Sequence, residues 1–211
     1  MGEILIEYSN LFYFISTSIV LTLLPGPDIL FVTVQSISNG KKAGILTAFG
    51  LCTGLIMHTI AASVGISAII YNSALGFSLV KYVGAAYLIY LSINALFEKN
   101  GSNFEKTVVK EPVNLYRKGI FMNLLNPKVS LFFLAFLPQF VNSDYGNIPI
   151  QMIILGIIFT IQAILIFSAV SILSNAVSLK VFENKKFQKY VCPLKASVFG
   201  ILGIKLAFFE R

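Results

Sequence analysis

Charge is scarce in this chain. Only 12% of its 211 residues are Asp, Glu, Lys or Arg, against about 25% in soluble domains, while 56% are hydrophobic. With a mean hydropathy of +0.82, most of the surface must meet lipid rather than water. Histidine is rarer still: His58 is the single one, and the two cysteines, Cys52 and Cys192, lack the spacing of a metal site. Without an HExxH or Cys-x-x-Cys pattern, nothing points to a zinc enzyme, a resident metal or another cofactor, and no disulfide framework is implied. Neither paired carboxylates nor a nucleophile-base constellation is present, which argues against an enzyme. The shortage of acids leaves a net charge of +7. The basic residues fall between apolar segments instead of forming one basic face, so they read as a topological bias and not as a nucleic-acid surface. The N-terminal tail carries Glu3 and Glu7 but no Lys or Arg. It lacks the basic leader of a signal peptide, so the first apolar segment is expected to remain in the mature protein.

What the chain does have is long apolar runs. Six approach or exceed the length of about 20 residues needed to cross a bilayer: Leu11–Ile37, Ala43–Ile70, Leu75–Phe97, Gly119–Val141, Ile148–Asn175 and Val191–Phe209. The expected fold is an all-α polytopic membrane protein with six transmembrane helices. The first, third and fifth connectors hold eleven Lys and Arg residues, among them Lys41, Lys42, Arg117, Lys118 and Lys189. The N-terminal tail and the other two connectors hold none. By the positive-inside rule the odd connectors are cytoplasmic and both termini lie outside. The chain divides into a first three-helix half (1–97), a cytoplasmic linker (98–118) and a second three-helix half (119–211). Three spans per half make the second half enter the membrane from the opposite side, the topology of an inverted 3+3 repeat.

Two of the runs contain breakers. The first spells Leu23-Leu24-Pro25-Gly26-Pro27-Asp28 and the fourth Leu124-Leu125-Asn126-Pro127-Lys128, one hundred residues later. Pro25 and Pro27 lack a backbone N–H and disfavour helical geometry in the residue before each; Gly26 between them adopts dihedrals that other residues avoid. Pro127 makes a milder break of the same kind. A lone intramembrane proline is ordinarily a structural kink. Two matched breaks, one carrying an acid and one a base, point instead to a transport site. At about 1.5 Å per residue, Asp28 lies roughly 20 Å from Lys41 and Lys128 roughly 15 Å from Lys118, so both fall near the middle of a core about 30 Å thick. A charge at that depth costs about 2.5–3.5 kcal/mol on insertion scales, so such residues usually serve a function.

Two roles remain open for Asp28 and Lys128. They form a buried ion pair that locks the halves together, or they face a central cavity. There Lys128 meets a substrate carboxylate, and Asp28 meets an ammonium or a proton, since burial disfavours its charged form. Asn123, Asn126 and His58 join them as candidates for the substrate and proton pathway, with histidine able to titrate near neutrality. Asn94 and Gln162 are further polar residues that could line a cavity or bond between helices. Gly50 and Gly54 form a G-x-x-x-G suited to close helix packing within the chain. Lys81, Lys195 and Lys205 read as lysines snorkelling to the interface. Export of a cation or another small amine is the competing function, weakened by a single membrane acid and the lack of an Asp/Glu/His cluster.

At these motifs the chain resembles the LysE/RhtB family of bacterial amino-acid exporters. The resembling residues are Pro25-Gly26-Pro27-Asp28, then Asn39-Gly40 and Ala43-Gly44, then Lys81-Tyr82-Val83-Gly84-Ala85-Ala86-Tyr87-Leu88. They end in Gly119–Val141, which holds Asn123-Leu124-Leu125-Asn126-Pro127-Lys128 and Phe136-Leu137-Pro138-Gln139-Phe140. The resemblance implies a six-helix protein of the bacterial cytoplasmic membrane. It further implies export of small amino acids by proton antiport, and a homodimer.

Overall fold

The computed structural model describes residues 8–66, 74–97, 112–174 and 185–208, and every regular element among them is helical. Helices α1 (Tyr8–Leu23) and α2 (Pro27–Asn39) are the two arms of the first apolar run. A single residue, Gly40, joins α2 to α3 (Lys41–Ala61); its φ of +85° is the left-handed turn that glycine accepts without a Cβ clash. Helix α3 loosens into a π-helical turn at Ala62–Ile66. The next helix, α4, spans Ala74–Phe97. Helix α5 begins at Pro112, two turns ahead of Gly119, and ends at Leu124. It is followed by α6 (Pro127–Leu131), a π-helical turn (Phe132–Phe136) and a 3₁₀ turn (Leu137–Phe140). The two long C-terminal helices are α7 (Ile148–Ser174) and α8 (Lys185–Ala207).

Both proline motifs break their helices. The arms Ser9–Leu23 and Pro27–Asn39 bend by 53°, and Asn114–Leu124 and Pro127–Phe140 bend by 50°. Among the described residues, Lys41–Gly65 and Ile148–Ser174 are each long and apolar enough to cross a membrane. With each bent pair taken as one span, the candidate crossings number four, and the chain is a multi-pass membrane protein. The expected segment ends at 67–70, 175 and 209 lie outside the described residues, as does most of the 98–118 stretch.

Helix α3 is the hub of the bundle and packs against α2, α5 and α7. Small residues permit the contact. A Cβ on Gly50 would collide with the backbone carbonyl of Tyr116, one on Gly119 would stand 2.7 Å from Thr47 O, and one on Gly156 would collide with Thr59. The G-x-x-x-G of Gly50 and Gly54 therefore packs inside the chain. Helices α4 and α8 pair along their length, and α4 meets the bundle at the Phe132–Phe136 turn.

Toward the α7 N-terminus the core is aromatic. Phe14 from α1, Phe132, Phe136 and Phe140 from the broken fourth run, and Phe159 from α7 stack and tilt with centroids 5.0–6.5 Å apart. At the opposite end of α7 the seal is polar: Ser36 Oγ donates to Ser171 Oγ (2.9 Å), which donates to Lys41 O (2.8 Å). The lysines at the helix ends find rings. Lys205 Nζ sits 3.3 Å from the centroid of Tyr13, and Lys81 Nζ 4.4 Å from that of Tyr82, so each ammonium gains a cation–π contact.

Candidate functional site

The site follows from what the prolines remove. In α1 the carbonyl of Leu21 would bond the amide of residue 25, but Pro25 has no N–H. That carbonyl instead accepts from Lys128 Nζ at 3.1 Å. In α5 the carbonyl of Asn123 faces the same loss at Pro127. It accepts from Asn126 N at 3.0 Å and from His58 Nε2 at 3.3 Å. A carbonyl only accepts, so Nε2 carries the imidazole proton in that bond. Each break is thus repaired by a side chain from the other half of the chain. A cation is also well placed at the end of α1, where the helix dipole is negative.

Asp28 occupies the opposite kind of position. Gly26 is extended (φ −146°, ψ −176°), Pro27 opens α2, and Asp28 sits in its first turn, where the dipole favours an acid. It is 4% exposed. Its Oδ2 accepts from Asn123 Nδ2 at 3.0 Å, and the Asn126 side chain also faces the carboxylate as a donor. Lys128 and His58 are the ionisable groups that act on it electrostatically. Asn126 caps α6, its Oδ1 accepting from Lys128 N at 3.1 Å. A Cβ at Gly26 would stand 3.2 Å from Lys128 Nζ, so the glycine also gives the ammonium room against the break.

These residues enclose a small cavity with room for about one water molecule. Asp28, Asn123 and Lys128 line it, with Thr22 and Leu21 from the end of α1. Leu55, Val129, Phe159 and Phe167 complete the wall. Of the residues singled out in the sequence, Asp28, Lys128 and Asn123 meet in one cavity. Asn126 holds the turn beneath Lys128, and Pro25, Gly26, Pro27 and Pro127 form the two breaks. His58 stands behind Asn123, half-buried and stacked on Phe133 at 5.7 Å between centroids. Asn94 is exposed on α4, away from this site. Gln162 does not line the cavity but bonds to Thr22, which does. The aromatic and aliphatic walls carry no signal in a sequence where such residues fill every span. Thr22 is equally silent, one hydroxyl among many that back-bond to their own helix.

Among the described residues no group of three or more His, Cys, Asp or Glu is placed to hold a metal. The chemistry on offer is polar and bipolar: the carboxylate of Asp28, the side-chain amides of Asn123 and Asn126 around it, and an ammonium.

A buried acid and a half-buried base held at two helix breaks fit a membrane translocator. The chain belongs to the LysE type translocator family, which matches residues 19–209, and is by that membership an exporter of small molecules. It is 34% identical over 206 residues to an uncharacterized membrane protein, YrhP, of Bacillus subtilis, covering 93% of this chain and 97% of that one. An uncharacterized membrane protein of Vibrio cholerae is 36% identical over 162 residues, 73% of this chain and 76% of the relative. The homoserine/homoserine lactone efflux protein of Salmonella typhimurium is 28% identical over 197 residues, 93% and 95% of the two chains. No solved structure matches the chain.

Proposed function

We propose that this protein exports amino acids or related small zwitterions by proton antiport, through the cavity where the two broken helices meet. The observation that carries the reading is the meeting of Asp28 and Lys128, from opposite halves of the chain, in one cavity. A zwitterion needs an acceptor for its ammonium and a cation for its carboxylate. The Asp28 carboxylate supplies the first and Lys128 Nζ the second. Asp28 is also the proton carrier: buried, it is neutralised either by a proton or by the substrate's ammonium, and this exclusivity is what antiport requires. A bare cation or simple amine would leave Lys128 as an unfavourable neighbour. The Salmonella relative, named for efflux of an amino acid and its lactone, supports the same substrate class.

The architecture of this reading is six spans in the bacterial cytoplasmic membrane. They form a 3+3 inverted repeat with both termini outside, and the assembly is a homodimer. Near-equal bends of 53° and 50° at corresponding breaks, and the reciprocal repair of each freed carbonyl, support the repeat. The cavity is too small for an amino acid, so the structure corresponds to a closed state that must widen to bind. The test is counterflow in proteoliposomes with a panel of labelled amino acids and simple amines. Exchange of at least one amino acid, with none for amines lacking a carboxylate, is expected. Exchange of the amines alone would overturn the reading.

A further inference from the structure

The cavity is closed toward the two ends of α7 by different chemistry. Toward the N-terminus of α7 lie the buried rings of Phe14, Phe132, Phe136 and Phe140. Toward its C-terminus the buried residues of α2 include Thr33, Gln35 and Ser36, within about two turns of Asp28. Ser171 and Ser174 of α7 are buried at the same end. The contact there is made by hydroxyls: Ser36 Oγ meets Ser171 Oγ at 2.9 Å, and Ser171 Oγ donates to Lys41 O at 2.8 Å. Gly44 lets them meet, since a Cβ there would collide with both hydroxyls. Along α7, Ser171 stands one turn beyond Phe167, which walls the cavity.

Most of these hydroxyls do not depend on the contact. Ser36 Oγ also lies 2.7 Å from Val32 O, Thr33 Oγ1 donates to Ile29 O and Ser174 Oγ to Val170 O, each within its own helix. Parting α7 from the α2–α3 corner breaks the bonds of Ser171 to Ser36 and Lys41, while the other hydroxyls keep their partners. The gap is then lined by groups that water wets. Parting the opposite end would expose packed rings to water instead.

We propose that substrate enters the cavity from the cytoplasm between the C-terminal end of α7 and the α2–α3 corner, and that Ser36 and Ser171 form the gate. Closed, the gate separates Asp28 and Lys128 from the cytoplasm. Open, it hydrates the polar stretch of α2 as far as Asp28, while the aromatic end stays sealed.

This inference rests on the exporter reading and its orientation. Its first test is a Ser36→Cys/Ser171→Cys protein lacking Cys52 and Cys192, assayed for amino-acid flux in proteoliposomes. The longer C–S bonds narrow the 2.9 Å between the two hydroxyl positions toward a disulfide. Oxidation is expected to stop flux and reductant to restore it. The second test needs no flux: Thr33→Cys, at a position 1% exposed, is labelled with an impermeant maleimide in inside-out membrane vesicles. Adding Ser171→Ala is expected to speed that labelling about tenfold, the scale of one net hydrogen bond. Equal flux before and after cross-linking, or a labelling rate unmoved by Ser171→Ala, would overturn the gate alone. Labelling confined to right-side-out vesicles would place the entrance on the other face and overturn it as well. Flux of no amino acid by the wild-type protein would overturn the exporter reading, and labelling would still decide the gate.

Discussion

Asn123 ties three parts of the site together. Its amine holds Asp28 Oδ2, its carbonyl receives His58, and its side-chain oxygen packs on Gly54. A Cβ at Gly54 would stand 2.6 Å from that oxygen and 2.8 Å from Asn123 Cβ. Gly54→Ala is therefore expected to cost about 1–3 kcal/mol by overpacking, read as a lower unfolding midpoint in detergent, and to reduce transport by displacing Asn123 from Asp28. Gly65 is the control, since a Cβ there meets nothing within 4 Å, and Gly65→Ala is expected to leave both readouts unchanged. Equal effects from the two substitutions would contradict this packing. The charged members of the site were legible in the sequence because a charge inside an apolar run is costly wherever it sits. The partners of those charges were not, because nothing in a sequence says which carbonyl a lysine or histidine will reach.

The breaks are built differently, and their elements should respond differently. In the first, two prolines remove the amide hydrogens at 25 and 27, and the glycine between them is extended rather than helical. In the second, Asn126 caps α6 through a bond of 3.1 Å to Lys128 N, ahead of a single proline. Asn126→Ala removes that cap and is expected to cost about 1 kcal/mol, measured as a lower unfolding midpoint, with a larger effect on transport because the turn carries Lys128. An unchanged midpoint would mean that Pro127 alone holds the turn. Prolines announce such breaks, so both were readable, and both are present as bends of 53° and 50°. The π-helical turns at Ala62–Ile66 and Phe132–Phe136 carry no comparable signal. The start of α5 at Pro112 was hidden for another reason: its first two turns carry Asn114, Arg117 and Lys118 and blend with the charged stretch before them.

At the scale of the whole molecule, the distribution of lysine and arginine gives an orientation that labelling can check. In a background lacking Cys52 and Cys192, Ser143→Cys, in the exposed turn before α7, is expected to react with a membrane-impermeant maleimide from outside intact cells. Lys42→Cys, beside the Gly40 turn, is expected to react only after permeabilisation. The reverse pattern would invert the topology. The order of apolar runs made the helical class legible. The closeness of the two halves at their breaks was not, because it depends on glycine contacts along α3 that look in sequence like any small residues in a membrane helix. The central claim is that Asp28 and Lys128 form one transport site at those breaks, coupled to protons. Its most direct test is amino-acid flux driven by an imposed pH gradient in proteoliposomes, comparing the wild-type protein with Asp28→Asn and Lys128→Ala. Gradient-driven flux in the wild type, lost in both variants while each remains folded, is the expected result. Flux that persists with its pH dependence intact in Asp28→Asn would contradict the account.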